Sequence, residues 1–215
     1  MIPLLGIGQV RRILCLGAHC DDIEIGAGGT LMRLIAEHPG LEIRWVVLCG
    51  QDTARAAEAR HAASLFGDGA ARLQVDLHAY RDAHLPWQGS AVKETFEALR
   101  QDFVPDLILT HHGADRHQDH RLVSELTWNT WRDHAILEYE VVKWDGDLGQ
   151  PNIFVPLDEA LCRRKVSQLL DAYATQRPRA WFSEDVFLAL LRLRGVECNA
   201  PSRYAEAFHA RKLLM

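Results

Sequence analysis

The sequence predicts an α/β fold in three layers, with helices on both faces of a mostly parallel sheet. Short and nearly continuous apolar runs alternate along the chain with stretches whose apolar residues recur at helical spacing. Strands that are covered on both faces have such runs, and this alternation is typical of parallel sheets. In addition, clusters of histidine and aspartate follow two of the apolar runs, and open parallel sheets bind ligands at the carboxyl ends of their strands.

The first two strand–helix pairs are the clearest. Ile13–Ala18 and Ile43–Cys49 are apolar enough to be buried strands. A glycine-containing turn and a helix over about Gly28–Glu37 follow the first strand. The alanine-rich stretch Thr53–Phe66 has apolar residues at helical spacing and is the second helix.

Two more pairs continue the pattern. Leu73–Leu77 is a weaker strand that is followed by a helix over Ser90–Asp102, and Pro105 leads into the strand Asp106–Thr110. The next helix covers Asp119–Trp131, with leucine and valine side chains on one face.

The pattern changes beyond Ala135. Ile136–Lys143 is expected to be a strand, and the Gly/Pro/Asp-rich segment Trp144–Pro156 a loop that lines the acceptor side of a pocket. Two helices, Asp158–Tyr173 and Glu184–Leu193, follow. We expect one domain over residues 1–215, with a core of about 11–135 and a C-terminal extension of about 136–215.

Composition excludes several classes of protein. The 215 residues are 48% hydrophobic and 25% charged, as in ordinary globular proteins. The net charge of −5 argues against a nucleic-acid partner, because such proteins present a basic face. The chain has 11 histidines. Histidine is the commonest metal ligand, so their placement needs an explanation.

The cysteines and the N-terminus predict a cytoplasmic protein. Five scattered cysteines without a CxxC pair suit reduced thiols better than disulfides or cysteine-ligated zinc. The short apolar segment Met1–Gly6 precedes Arg11 and Arg12, which is the reverse of a secretory signal. No apolar run approaches 18 residues, so we expect no transmembrane segment.

The first cluster follows the first strand. His19, Asp21 and Asp22 stand together there, and an imidazole with two carboxylates can hold a divalent metal and leave one carboxylate free. The glycines after them allow a sharp turn or a close approach of the backbone. Two other interpretations are a dinucleotide loop, whose GxGxxG spacing is absent, and simple capping of the next helix.

The second cluster follows the strand Asp106–Thr110. His111, His112, His117 and His120 fall within ten residues of one another. Since His117 and His120 are three residues apart at the start of a helix, both can face the same cleft. Asp119 can orient an imidazole through its second nitrogen. The alternative is a polar capping loop whose histidines are exposed.

Together the clusters supply three ligands and spare acids and imidazoles. Three protein ligands with an open position are typical of catalytic zinc, although iron or manganese accepts the same donors. Such a site suits the hydrolysis of an amide or ester, with a carboxylate as base and an imidazole as oxyanion stabiliser. Spacing alone leaves open which carboxylate binds the metal.

Both clusters resemble the metal motifs of the PIG-L/LmbE-like zinc-dependent N-deacetylases. The resemblance is carried by Ala18-His19-Cys20-Asp21-Asp22 through Gly28-Gly29 and by His117-Gln118-Asp119-His120, with weaker likeness at Arg55–Gly67, Tyr173–Gln176 and Tyr204–Phe208. The family usually has proline where this chain has Cys20 and Gln118. Neither of these positions is a ligand.

The resemblance implies a Rossmann-like sheet and specific roles. Zinc is held by His19, Asp22 and His120, and Asp21 is the general base. His117, oriented by Asp119, stabilises the oxyanion and protonates the departing amine. The implied substrate is an N-acetylated amino sugar or glycoconjugate, which is cleaved to free amine and acetate.

Three points stay open at this stage. Arg55 is a candidate substrate contact, or else an exposed arginine paired with Glu58. Three tryptophans are candidates for stacking on a sugar: Trp87, Trp144 and Trp181. Tryptophans on the surface would also allow contact with a second copy in a homo-oligomer. The alternative functions are a zinc amidase for a non-sugar acetamide and a non-catalytic metal- or sugar-binding protein.

Overall fold

The computed structural model describes residues 10–213 of the 215-residue chain. The N-terminal segment Met1–Gly6, from which we argued against a secretory signal, lies outside the described residues. The described part contains one seven-stranded sheet and six α-helices. The strands are β1 (Arg12–Gly17), β2 (Glu42–Cys49), β3 (Arg72–Tyr80), β4 (Leu107–His111), β5 (Ala135–Tyr139), β6 (Ile153–Pro156) and β7 (Ala205–His209). The helices are α1 (Asp22–Glu37), α2 (Arg55–Phe66), α3 (Gly89–Asp102), α4 (Gln118–Thr130), α5 (Glu159–Ala172) and α6 (Glu184–Glu197).

The strand order is β3-β2-β1-β4-β5-β7-β6. The first five strands are parallel to their neighbours, and β7 is antiparallel to both β5 and β6. The chain runs outward from β1 to β3 and then returns to the other side of β1 with β4. This reversal opens a crevice at the carboxyl ends of β1 and β4, the usual ligand site in open α/β sheets.

Side chains of β1 alternate between two cores. Ile13 and Cys15 pack in the larger core, beneath α1, α2, α5 and α6, whereas Leu14 and Leu16 pack in the smaller one beneath α3 and α4. All four side chains are at most 1% exposed. Both faces of the sheet are therefore covered, which confirms the predicted three-layer α/β/α architecture.

Helix α1 begins earlier than predicted. It starts at Asp22 rather than Gly28, so Gly26, Gly28 and Gly29 lie inside the helix. A Cβ on Gly26 would overlap the ring of Tyr139, and the other two glycines have similarly close neighbours. The expectation that these glycines form a turn was wrong. They let the helix pack closely on the elements around it.

The C-terminal part adds two strands that the pattern did not reveal. β6 occupies the end of the segment predicted as a loop, and β7 inserts between β5 and β6. Glu206 in β7 is buried because Lys165 Nζ lies 2.6 Å from its carboxylate and the N–H groups of Gly29 and Thr30 donate to it. The predicted strand Ile136–Lys143 ends earlier, at Tyr139. None of the described helices is long and apolar enough to cross a membrane.

Candidate active site

Two neighbouring strands bring both polar clusters to the same crevice. β1 pairs in parallel with β4, so the turn after β1 and the loop after β4 lie side by side. His19, Asp21 and Asp22 come from the turn into α1, and His117 and His120 come from the start of α4. The structure thus joins residues that are far apart in the chain.

Three of these side chains converge on one point. His19 Nδ1 lies 3.2 Å from His120 Nε2 and 3.3 Å from Asp22 Oδ2, and His120 Nε2 lies 3.5 Å from Asp22 Oδ1. Nitrogen and oxygen ligands of a tetrahedral zinc lie about 3.3–3.6 Å apart, given bond lengths of about 2.0–2.2 Å. The three residues named as metal ligands therefore fit a divalent cation.

The protonation states of His120 and Asp22 suit metal binding, whereas a cation must displace a proton from His19. Burial acts to lower the pKa of His19, but the carboxylates of Asp22, Asp119 and Asp82 hold it well above its usual range. Burial, together with the nearby His111, lowers the pKa of His120 to about 4, which leaves its imidazole neutral. Burial acts to raise the pKa of Asp22, but the surrounding imidazoles hold it well below its usual range. The site thus offers a neutral nitrogen and an ionised carboxylate, the forms that coordinate a cation.

Asp115 supports His120 from behind and was not predicted. Its Oδ2 is 2.9 Å from His120 Nδ1 and 2.9 Å from Lys143 Nζ, and its Oδ1 accepts the backbone N–H of His117 at 2.8 Å. A carboxylate on Nδ1 fixes the imidazole so that Nε2 faces the metal. The sequence feature that could have pointed to Asp115 is its position in the same loop as His120.

Asp119 does not orient His117 through its carboxylate, contrary to the sequence-based expectation. Its Oδ2 lies 3.3 Å from His19 Nε2, and its Oδ1 accepts the N–H of Leu85 at 3.0 Å. Only the backbone N–H of Asp119 contacts the His117 ring, at Nδ1. The helix start turns the carboxylate toward β1, so the side chain contacts His19, one of the residues predicted to bind the metal.

His117 caps α4 and faces the ligand histidines. Its Nδ1 accepts the N–H of Asp119 at 3.3 Å, which assigns the proton of the neutral ring to Nε2. Its ring centroid is 4.8 Å from that of His19 and 4.7 Å from that of His120. Burial and the neighbouring His19 lower the pKa of His117. The arrangement leaves one N–H donor beside the triad.

Arg55 pairs with Asp21. The guanidinium Nη2 lies 2.8 Å from Asp21 Oδ1, whereas Glu58 accepts hydrogen bonds from Thr175 instead. The expected alternative pairing with Glu58 was therefore wrong. Burial raises the pKa of Asp21, and the charge of Arg55 opposes this rise. Asp21 does not belong to the converging triad and is the carboxylate left over beside it.

Two further residues lie in this region: Asp82, which was not predicted, and His111, which was predicted in the second cluster but not as a ligand. Asp82 Oδ1, in the loop after β3, lies 3.0 Å from His19 Nε2, and its side chain is 68% exposed. His111 is fully buried and stacks on His120 at a centroid distance of 3.8 Å, with Nε2 3.2 Å from Asp22 Oδ2. Sequence gave no signal for Asp82, because its loop is remote from both clusters.

Comparison with known protein families agrees with this geometry. The model of the family described as PIG-L, GlcNAc-PI de-N-acetylase, matches residues 14–131, which span both clusters. The chain belongs to the PIG-L family. The expected resemblance is thereby confirmed, and the protein is a member of a deacetylase family.

Individual PIG-L relatives support the same assignment. The uncharacterised deacetylase YaiS of Escherichia coli K12 is 31% identical over 150 residues, which cover 64% of this chain and 78% of the relative. The diacetylchitobiose deacetylase of Thermococcus kodakarensis is 27% identical over 134 residues, which cover 53% of this chain and 46% of the relative. The fold also matches the N,N'-diacetylchitobiose deacetylase structure from Pyrococcus horikoshii, with a TM-score of 0.73, 22% identity, and coverage of 94% of this chain and 84% of that one.

This PIG-L protein makes side-chain contacts at the two positions where proline is usual in the family. Cys20 Sγ donates to the carbonyl of Cys49 at 3.5 Å. Gln118 Nε2 donates to the carbonyl of Ala83 at 3.0 Å, which ties the Asp82 loop to the start of α4. Both residues therefore brace the site rather than enter it.

The candidate sugar platforms differ in exposure. Trp87 and Trp144 are 76% and 68% exposed, and Trp181 is half-buried. Trp87 lies in a short 3-10 helix, Leu85–Gln88, that begins three residues after Asp82, and the N–H of Leu85 donates to Asp119 Oδ1. Of the three tryptophans, Trp87 is the one whose own short helix is hydrogen-bonded to a residue of the site.

Proposed function

We propose that this PIG-L family protein is a zinc-dependent N-deacetylase that removes the acetyl group from an N-acetylated amino sugar or glycoconjugate. The convergence of His19, Asp22 and His120 within 3.2–3.5 Å carries the proposal. Two relatives named as diacetylchitobiose deacetylases support the sugar substrate.

The three converging residues hold the metal. Two imidazole nitrogens and one carboxylate suit zinc, and iron and manganese accept the same donors. A divalent cation in such a site lowers the pKa of bound water and polarises an amide carbonyl. Asp115 keeps His120 aligned, and Asp119 lies against the far side of the His19 ring.

Asp21 acts as the general base. It is 5% exposed, next to the ligand Asp22, and does not take part in the triad. Burial favours its protonated form, whereas Arg55 keeps enough ionised carboxylate to accept a proton from water. We retain Arg55 as a substrate contact, in addition to its pairing with Asp21.

His117 acts as the donor to the substrate. With its proton on Nε2, the neutral ring can donate to the oxygen that becomes negative when water adds to the amide. The proton that Asp21 takes from water is then available to the departing amine nitrogen, and His117 keeps its own Nε2 proton. The expectation that His117 itself protonates the amine would require its imidazolium form, which burial and the neighbouring His19 disfavour by lowering its pKa. Neither Asp21 nor His117 is needed merely to hold a metal, which favours an enzyme over a metal- or sugar-binding protein.

Acetate release tests the proposal. The purified protein, loaded with one equivalent of Zn²⁺, is incubated with a panel of N-acetylhexosamines and their conjugates, and with small non-sugar acetamides. We expect acetate from at least one amino sugar, abolished by a chelator and restored by Zn²⁺. Acetate from the non-sugar amides alone would establish the amidase instead, and no acetate from any compound would contradict deacetylation.

The cellular setting is part of the proposal. All five cysteines are free and buried, which supports a reducing compartment, the cytoplasm. The net charge of −5 supports a small glycoconjugate rather than a nucleic acid as the partner.

We further propose three features of the whole chain. Residues 1–215 act as one domain, and the Trp144–Pro156 segment contacts the acceptor. The exposed tryptophans allow contact with a second copy in a homo-oligomer.

A further inference from the structure

We propose that a second cation site lies beside the first and takes a thiophilic divalent cation such as Zn²⁺ or Cd²⁺. Its ligands are Cys49, His19 and Asp119, whose sulfur, nitrogen and oxygen atoms lie within 4.8 Å of one another. This site goes beyond the proposed reaction, and the thiol is its distinguishing ligand.

The fold positions the thiol at the crevice. Cys49 is the last residue of β2, and its N–H donates to the carbonyl of Ala18 at 2.9 Å. This bond fixes the end of β2 beside the turn that carries His19. Asp119 reaches the same point from the first turn of α4. Three separate elements therefore place a sulfur, a nitrogen and an oxygen together.

Buried polar atoms at this point lack hydrogen bonds. His19 Nε2 and Asp119 Oδ2 are both inaccessible to solvent, and neither makes a hydrogen bond of acceptable alignment, although they lie 3.3 Å apart. Asp119 is 0% exposed and Cys49 is 3% exposed. A buried carboxylate oxygen without a donor is costly, and a cation would satisfy it.

The charges around this point leave room for a second cation. Arg55 neutralises Asp21, whereas Lys143 is shared between Asp115 and Asp147. Over residues 10–213, His19 is the only basic side chain in ion-pair contact with Asp82 or Asp119. One cation at the first site therefore leaves net negative charge on the side of the crevice that faces β2.

The donors select the class of cation. A thiolate, an imidazole and a carboxylate suit zinc and cadmium, whereas magnesium and calcium prefer oxygen alone. Binding forms a sulfur–cation and a nitrogen–cation bond, and releases the protons of Cys49 Sγ and His19 Nε2 to solvent. Asp82 Oδ1, exposed and 3.0 Å from His19 Nε2, offers a fourth ligand on the solvent side.

Occupation of this site has a consequence for turnover. His19 would bridge two cations, and the second cation would add positive charge next to the first. We expect zinc beyond one equivalent to inhibit the enzyme, because His19 would then be shared between two cations.

The test counts cations and detects the thiolate. Protein loaded with one equivalent of Zn²⁺ is titrated with Cd²⁺, and total metal per chain is measured after gel filtration. Ultraviolet absorbance reports the thiolate-to-cadmium charge-transfer band. The same titrations are made on Cys49→Ser, on Cys49→Ala as a second substitution, and on the matched control Cys198→Ser, whose thiol is buried in a separate cluster, each checked for folding by thermal melting.

We expect two cations per chain and a charge-transfer band in the wild type and in Cys198→Ser, and one cation without the band in both Cys49 variants. Inhibition by excess zinc, measured relative to each protein's own rate with one equivalent, should disappear in the Cys49 variants. One cation in the wild type, two in the Cys49 variants, or loss of the band in Cys198→Ser would overturn the site. Acetate release with one equivalent of Zn²⁺ tests deacetylation separately.

Discussion

The carboxylate of Asp119 lies against His19 and not against His117. Its Oδ2 is 3.3 Å from His19 Nε2, on the side of the ring opposite the Nδ1 atom that faces Asp22 and His120. His117 instead receives the backbone N–H of Asp119. A carboxylate behind a ligand imidazole holds the ring in place and increases its basicity. We therefore propose that Asp119 positions His19 when a cation occupies the first site.

This placement predicts that Asp119→Ala weakens metal binding. Loss of such a partner costs about 10–100-fold in affinity. Competition with a chelating dye gives the Zn²⁺ dissociation constant, and Glu125→Gln, at an exposed position of the same helix, is the control. Unchanged Zn²⁺ affinity combined with reduced kcat would instead favour a role for Asp119 in substrate chemistry.

Asp115 should have a comparable effect on the other ligand histidine. Asp115→Asn removes the carboxylate that is 2.9 Å from His120 Nδ1 and leaves Lys143 with less negative charge near it. We expect Zn²⁺ affinity to fall about 10–100-fold. Asp145→Asn is the matched control, because Asp145 also contacts Lys143, at 3.8 Å, but contacts no histidine. Equal affinities in the two variants would argue against this role.

Arg55 should set the acid limb of the pH–rate profile. Asp21 accepts a proton only when ionised, so activity is present above its pKa and is lost as the pH falls through that pKa. Burial raises this pKa and the charge of Arg55 lowers it. Arg55→Gln should therefore move the acid limb of kcat/KM to higher pH, and Arg55→Lys should restore much of the shift. If the acid limb of kcat/KM does not move in Arg55→Gln, the Arg55–Asp21 pair does not control the protonation of the base.

Gly26 should be intolerant of a side chain. A Cβ there would overlap the ring of Tyr139, whose hydroxyl is held by the carbonyl of Leu16 at 2.6 Å. Overpacking of this kind costs about 1–3 kcal/mol. Urea denaturation of Gly26→Ala should show a free energy of unfolding reduced by about that amount. Gly89→Ala is the control, since its Cβ would have no neighbour closer than 4.0 Å, and its stability should be unchanged or slightly higher.

Periodicity was sufficient for the parallel half of the fold and insufficient for the rest. Strands β1, β2 and β4 are nearly continuous apolar runs, which predicts their burial, whereas the edge strand β3 has a weaker pattern and is mostly half-buried. Strand Ala205–His209 carries Glu206, which is buried only because Lys165 and two backbone N–H groups meet it. These partners of Glu206 come from elements distant in sequence, so the pattern of apolar residues does not predict that this strand is buried.

The site residues likewise fall into those that the sequence predicts and those that it does not. His19, Asp22 and His120 stand in compact motifs, and the pairing of β1 with β4 brings them together. Asp82 and Cys49 belong to the ends of other strands, and their proximity to His19 depends on the strand order. The contact made by Asp119 depends on the orientation of the first turn of α4, which the spacing of residues does not specify.

The most direct measurement compares two adjacent aspartates. Asp21→Ala and Asp22→Ala are each assayed for bound Zn²⁺ by elemental analysis and for acetate release from an N-acetylated amino sugar that the wild type cleaves. Asp21→Ala should keep one zinc per chain and lose about 10²–10⁴-fold in kcat, as expected for removal of a general base. Asp22→Ala should bind zinc much more weakly. Wild-type turnover in Asp21→Ala, or full zinc retention in Asp22→Ala, would contradict the roles assigned to these two carboxylates.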